Sequence, residues 1–130
     1  MLGFLAGLRT FTAPAVLWLM RPASPLGYVL GALAVLEYAG DLHPKAPPRT
    51  APLGLIARAC SGAFCGWTVT SGAGAPVAAG LLLGALAAVV GAYAGLAART
   101  FAIARAGRVP AALLEDAVAI AASIAVVAYL

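Results

Sequence analysis

Long apolar runs separated by short polar segments fill almost the whole chain. Each run approaches the roughly 20 residues that an α-helix needs to cross a bilayer core of about 30 Å. The uncharged stretch 59–98 is too long for one crossing, and the glycine- and proline-containing segment 71–76 divides it. The pattern predicts about five spans, over residues 2–20, 25–42, 52–70, 76–98 and 110–130.

Prolines support these boundaries. Four predicted helices open with proline, at Pro25, Pro52, Pro76 and Pro110. The first turn of a helix tolerates proline because its missing N–H is not needed there. Pro14 lies inside the first predicted span instead, where it frees the carbonyl of Thr10 and predicts a kink near Arg9. The one long polar stretch, 43–50, is predicted to be a proline-rich loop.

The composition places these helices in a membrane. The chain has 130 residues, of which 64% are hydrophobic and 9% charged. A soluble domain has about 25% charged residues, so this chain cannot cover a water-facing surface. We therefore expect an all-α, polytopic transmembrane helical bundle in a single domain, residues 1–130. The scattered basic residues do not form a nucleic-acid footprint, and membrane lipid is the expected partner.

The basic residues also predict an orientation. Lysine and arginine concentrate in the cytoplasmic loops of membrane proteins. With a cytoplasmic N-terminus, the predicted cytoplasmic side holds Lys45, Arg49, Arg105 and Arg108, with Arg99 at its edge. The predicted outer side holds only Arg21. The expectation is a multi-pass protein of a bacterial inner membrane.

Seven ionisable side chains lie within or at the edges of the apolar runs. They are Arg9, Glu37, Asp41, Arg58, Arg99, Glu115 and Asp116. A lone charge at the bilayer centre costs about 3 kcal/mol on insertion scales, so such groups persist when they are paired, wetted or functional. The predicted topology brings all seven to one layer in the cytoplasmic half.

Two interpretations of this layer remain open. It can be a structural ion-pair network that fixes how the helices pack. It can also be a site where arginines hold an anionic small molecule or a lipid headgroup, with the acids exchanging protons or cations. The corresponding functions are a small carrier or channel for an anionic solute or lipid, or an accessory membrane protein held together by ion pairs.

Small residues every fourth position predict where helices meet. The fourth predicted span carries the longest strip, which includes Gly80, Gly84, Gly91 and Gly95. Such spacing lets helix backbones approach closely in lipid, so this span is expected to be the most enclosed. Arg9 projects away from the small residues of its own span, which predicts a second protein contact and hence a homo-oligomer.

The sequence also contains a faint internal echo. Residues 6–11 (AGLRTF) are similar to residues 94–101 (AGLAARTF), and each is followed by a segment with two acids. Spans 1–2 and 4–5 would then form an inverted repeat, an arrangement that many transporters use. Chance similarity in a chain rich in Ala, Gly and Leu is the competing explanation.

No catalytic pattern is evident. His43 is the single histidine, and neither a metal-ligating cluster nor a nucleophile–base pattern accompanies it. Cys60 and Cys65 lie about 140° apart on a helix and cannot pair with each other. We expect a protein that is not an enzyme and that has no metal or cofactor.

Several short motifs together resemble a known family. They are GLRTFTAP at 7–14, Leu36-Glu37, Gly40-Asp41, Pro44, Pro47, Arg49, Arg58 with Ser61-Gly62-Ala63, and Leu114-Glu115-Asp116. The chain resembles, over nearly its whole length, a bacterial family of small multi-spanning membrane proteins catalogued as domain of unknown function 4126. The resemblance implies a helical membrane protein and carries no assigned activity, substrate or catalytic residue. Its relatives often have Lys or Arg after the aspartate, whereas here Leu42 follows Asp41.

Overall fold

A computed structural model describes residues 1–22, 24–41, 43, 45 and 51–130, and these form six α-helices without a strand. The helices are α1 Leu2–Leu8, α2 Thr12–Leu19, α3 Pro25–Asp41, α4 Pro52–Ala73, α5 Val77–Ala106 and α6 Arg108–Ala128. The predicted all-α class is therefore confirmed. Most of the predicted loop at 43–50, including Pro44, Pro47 and Arg49, lies outside the described residues, as does Leu42.

The first predicted span is wrong, because it consists of two short helices. Helix α1 ends at Leu8, and Arg9 has an extended backbone with φ −141° and ψ 122°. Helix α2 begins at Thr12, so Pro14 is its third residue. In that first turn the missing N–H of proline is not needed, and Pro14 helps to start a helix instead of kinking one.

The two short helices form a hairpin, so the predicted placement of the N-terminus relative to Arg21 is also wrong. Met1 and Arg21 line separate grooves, yet both grooves include Val69 and Leu130. The turn between α1 and α2 lies inside the bundle toward its opposite end, beside the last residue of α3 and in contact with Asp116 within α6. Residues 9–11 are called the hairpin tip below. Met1 and Arg21 therefore lie at the same end of the bundle.

Two further helices extend beyond their predicted bounds. Helix α5 continues past Ala98 to Ala106, so Arg99 lies inside a helix and does not close one. Helix α6 begins at Arg108, which puts Glu115 and Asp116 about two turns inside it. The fourth predicted span ends before Arg99 and the fifth begins at Pro110, whereas α5 continues through Arg99, whose charge has partners, and α6 begins at Arg108.

Among the helices of the described residues, two are long and apolar enough to cross a membrane. They are α5, with a mean hydropathy of 2.1, and α6, with 2.0. Helix α3 has 17 residues, about 26 Å at 1.5 Å per residue. Helices α1 and α2, with 7 and 8 residues, are each too short to cross alone.

The interior of the bundle is built from small residues. A Cβ atom at Gly84 of α5 would collide with the backbone of Gly62 on α4, and one at Gly3 of α1 would collide with Gly84. Further along α5, Gly80 lies against Gly66 and Gly91 lies against α1. Gly95 is the fourth member of the predicted strip. A Cβ atom at this position would lie only 2.7 Å from the Leu8 side chain.

The large aliphatic side chains of α5 and α6 mostly face outward instead, whereas Leu2, Leu5 and Leu17 of the two short helices are buried. Leu82, Leu83 and Leu86 of α5 expose 66%, 67% and 63% of their surface, and α6 exposes Leu113 and Leu114 in the same way. Charged side chains are buried at the same time, with Arg9 fully enclosed. This arrangement inverts that of a soluble domain, where most exposed residues are polar. It is the arrangement that suits apolar surroundings.

The most enclosed elements are α1 and α2, so the prediction that the Gly80–Gly95 helix is the most enclosed is wrong. Five of the seven residues of α1 and five of the eight residues of α2 are buried, against six of thirty in α5. The hairpin fills the centre, and α5 offers it only one face.

The two similar segments adopt different backbone conformations. Residues 6–11 contain the break between α1 and α2, whereas residues 94–101 lie within the continuous helix α5. The inverted repeat stays a prediction, and the local conformation does not support it.

If α1 and α2 form a hairpin, cysteines placed before Met1 and at position 21 should be labelled from the same side of a membrane. A cysteine on a short extension before Met1 and an Arg21→Cys substitution, each in a Cys60→Ala, Cys65→Ala background, should react from the same side of a vesicle. Arg108→Cys, between α5 and α6, should react from the other side. Impermeant maleimide added inside or outside provides the readout. Reaction at Met1 from the Arg108 side would contradict the hairpin.

Candidate functional site

The backbone of the hairpin tip is bound by side chains of neighbouring helices. The N–H groups of Thr10 and Phe11 donate to Glu37 Oε1 and Oε2 of α3, at 2.9 and 3.0 Å. The hydroxyl of Ser61 on α4 donates to the Thr10 carbonyl. Thr10 lies in the turn between α1 and α2, outside both helices, and Ser61 supplies a partner for its carbonyl.

Arg9 joins the tip to two other helices. Its Nη1 donates to Asp41 of α3, and its Nη2 donates to Asp116 of α6. The side chain is fully buried, and its guanidinium carbon lies 5.0 Å from the centre of the Tyr38 ring. Charge-assisted bonds of this kind are about twice as strong as neutral ones. The tip is therefore fixed to α3 and α6 through one residue.

The other two arginines extend the same arrangement. Arg99 Nη1 lies 3.3 Å from Asp41 Oδ2 and 3.7 Å from Glu115 Oε2. Arg58 Nη2 lies 3.7 Å from Glu37 Oε1. Arg9 and Arg99 thus share one oxygen of Asp41.

The seven residues predicted from the sequence form two ion-paired groups that meet at the hairpin tip, where Glu37 binds the amides next to Arg9, and together they are called the charged cluster below. Its members are Arg9, Glu37, Asp41, Arg58, Arg99, Glu115 and Asp116. It combines three guanidinium groups with four carboxylates. Asp41 and Asp116 keep 21% and 19% of their side chains exposed, whereas Arg9 keeps none. The two aspartates have the most exposed side chains of the seven residues, so the cluster reaches the surface mainly through them.

Two contacts at the cluster were not anticipated from the sequence. The hydroxyls of Thr12 and Tyr38 share a hydrogen bond of 2.6 Å, and the hydroxyl of Ser61 donates to the Thr10 carbonyl. Tyr38 lies between two acids of α3, and Thr10 stands four residues before a proline. A backbone carbonyl without a helix partner in an apolar segment needs a hydroxyl or amide donor. This requirement could have pointed from the sequence to a hydroxyl partner for Thr10.

The buried position of Arg9 removes the argument for an oligomer. Arg9 does project away from Gly3 and Gly7, which pack on α5, but the second contact comes from α3 and α6 of the same chain. No second copy is needed to neutralise it. The predicted homo-oligomer stays a prediction without that support.

An apolar pocket lies beside the charged cluster. Its volume is about 190 Å³, and α5 and α6 supply most of its wall. Leu8, Gly95 and Leu114 line it, and Arg99 and Glu115 add the polar groups. The pocket therefore connects the cluster with the apolar outer surface of the bundle.

Metal-ligating groups do not gather in the part of the chain that the structure describes, where no three His, Cys, Asp or Glu side chains could hold a metal ion. His43 is exposed and accepts a hydrogen bond of 3.2 Å from the backbone of Lys45. Cys60 is exposed and Cys65 is buried, and neither forms a disulfide.

Comparisons with known proteins add no assignment: no family model, no curated protein and no solved structure matches this chain. The resemblance to domain of unknown function 4126 remains a prediction.

The bond between Ser61 and Thr10 predicts a stability effect. Ser61→Ala leaves the Thr10 carbonyl without this partner and should lower the free energy of unfolding by about 1–2 kcal/mol. Ser71→Ala, an exposed position on the same helix, is the matched control and should change it by less than about 0.5 kcal/mol. Unfolding in detergent, followed by circular dichroism, gives both values. Equal effects of the two substitutions would contradict the assigned bond.

Proposed function

We propose that the chain is an integral membrane protein with four crossing helices and one re-entrant hairpin. Helices α3 to α6 would cross, and α1 and α2 would enter and leave on one side. Two observations support this: α5 and α6 are apolar enough to span, and the bundle exposes its aliphatic side chains while burying its charges. Broken backbone at membrane depth is tolerated where protein surrounds it, as it surrounds the hairpin tip.

The proposed orientation puts the charged cluster in the cytoplasmic half of a bacterial inner membrane. The segments near the cluster end carry Lys45, Arg105 and Arg108, and the opposite end carries Arg21. Positive residues favour the cytoplasmic side. Both Met1 and Leu130 then face outward, which replaces the predicted cytoplasmic N-terminus.

We propose further that the protein is a small carrier or channel for an anionic solute or a lipid headgroup. The observation that carries this proposal is a fully buried arginine at the tip of a broken hairpin, with ionisable groups from four other helices around it. Broken helices that meet ionisable groups at membrane depth are where transporters bind their substrates. The apolar pocket beside Arg99 and Glu115 offers a route for a lipid.

A structural role is the second candidate. Arg9 Nη1 and Nη2 both bind carboxylates of the chain itself. These contacts also suit a purely structural ion-pair network. Under this alternative the charged cluster only holds the hairpin in place, and the protein serves as an accessory membrane component.

Reconstitution in liposomes separates the two candidates. One arm measures chloride, formate and phosphate uptake driven by a potassium gradient with valinomycin, and a parallel arm measures flipping of a fluorescent anionic phospholipid. If the protein is a transporter, the uptake or flipping rate in one arm should exceed that of protein-free liposomes at least about tenfold. Arg9→Gln should lose this increase because it lacks the guanidinium group.

Arg21→Gln is the matched control, because Arg21 is an exposed arginine at the far end of the hairpin and should leave the rate unchanged. Folding of each variant is checked by circular dichroism and gel filtration, and Arg99→Gln is the second test if Arg9→Gln does not fold. Background rates for the folded wild-type protein in both arms would overturn the transport proposal and favour the structural role.

A further inference from the structure

Glu37 binds the hairpin tip as a small anion would. Its two carboxylate oxygens accept hydrogen bonds from two consecutive backbone N–H groups, those of Thr10 and Phe11, at 2.9 and 3.0 Å. Arg58 Nη2 lies 3.7 Å from one of these oxygens. Two convergent amides with a guanidinium nearby form the usual protein site for a carboxylate or similar anion.

The tip also holds a donor that Glu37 does not fill. Arg9, the residue before the two amides, is 0% exposed, and its Nε–H has no acceptor within the described part of the chain. A buried N–H without an acceptor is costly, so this donor favours an additional acceptor at the tip. Helix α2, with eight residues, starts at the tip and adds the positive end of its dipole.

We propose that the hairpin tip is an anion site occupied from within the chain by Glu37, and that a small monovalent carboxylate-like anion replaces Glu37 when it takes up a proton. This inference rests on the proposed anion transport and names its substrate class. A neutral carboxyl group binds two amides less well than a carboxylate does, so protonation favours its withdrawal. The entry of one proton and one anion leaves the net charge of the cluster unchanged, which avoids an uncompensated buried charge.

Charged groups of both signs lie around Glu37. Arg9 and Arg58 are the positive ones, and Asp41 on the same helix and Asp116 on α6 are the negative ones. Tyr38, next to Glu37, has its hydroxyl bonded to Thr12. Because proton uptake precedes anion binding, the affinity of wild-type protein for the anion should rise as pH falls, by up to about tenfold per pH unit.

Chemical rescue tests the site without measuring transport. Glu37→Ala removes the tethered carboxylate, and sodium formate is the probe that should take its position. Thermal unfolding of the purified variant in detergent is followed at pH 7.5 with increasing formate, against equal concentrations of sodium chloride. We expect formate to raise the unfolding midpoint by about 3 °C or more in a saturable manner. Wild-type protein at the same pH should show no effect beyond that of chloride.

Glu115→Ala is the matched control, because it also removes a carboxylate near an arginine but leaves the tip amides bound. The formate concentration that gives half of the maximal stabilisation should be at least about tenfold higher for Glu115→Ala than for Glu37→Ala. Equal rescue of the two variants, or no formate effect in Glu37→Ala, would overturn the inference.

If Glu37→Ala does not fold, wild-type protein is compared at pH 5 and pH 7.5. Stabilisation by formate at pH 5 alone supports the inference, and equal behaviour at both pH values overturns it. The liposome experiment is independent of this one. Transport without rescue would therefore leave the proposed function standing and reject only the tip as its site.

Discussion

The structure depends on satisfying the polar groups of a broken hairpin deep inside an apolar bundle. Breaking the helix at Arg9 exposes backbone N–H and C=O groups, and each one left unpaired away from water costs about 1–3 kcal/mol. Glu37 and Ser61 supply partners for the tip backbone, and Asp41 and Asp116 neutralise the guanidinium. Because these partners come from α3, α4 and α6, the same contacts fix the positions of three helices around the tip.

The close approach of the helices follows from their small residues. Helix association in lipid gains little from hydrophobicity and depends on van der Waals packing and on hydrogen bonds between helices. Gly84 meets both Gly62 and Gly3, so α4, α5 and α1 touch through their backbones at one level. This packing brings the hairpin close enough to α5 for Arg9 and Arg99 to share Asp41. Large aliphatic side chains are then left to cover the outside.

The sequence predicted the charged cluster better than it predicted the hairpin. Buried charges in an apolar chain must find partners, so the convergence of seven ionisable residues follows from their number and approximate depth. The hairpin was missed because a largely apolar run of 19 residues, 2–20, has the length of a crossing, and neither glycine nor proline occupies the break itself. Pro14 marked the start of α2 and not a kink, a distinction that depends on whether Thr10 lies inside a continuous helix or, as here, in a turn between two helices. The contribution of Ser61 depends on tertiary contacts that periodicity does not reveal.

The central claim is that ion pairing holds the hairpin tip inside the bundle, and a double-mutant cycle between Arg9 and Asp116 tests it most directly. Free energies of unfolding are measured in detergent for wild type, Arg9→Met, Asp116→Asn and the double variant. The account predicts a coupling energy of about 2 kcal/mol between the two positions, since the charges are in direct contact and largely buried. Additive effects of the two substitutions, with a coupling energy near zero, would contradict it.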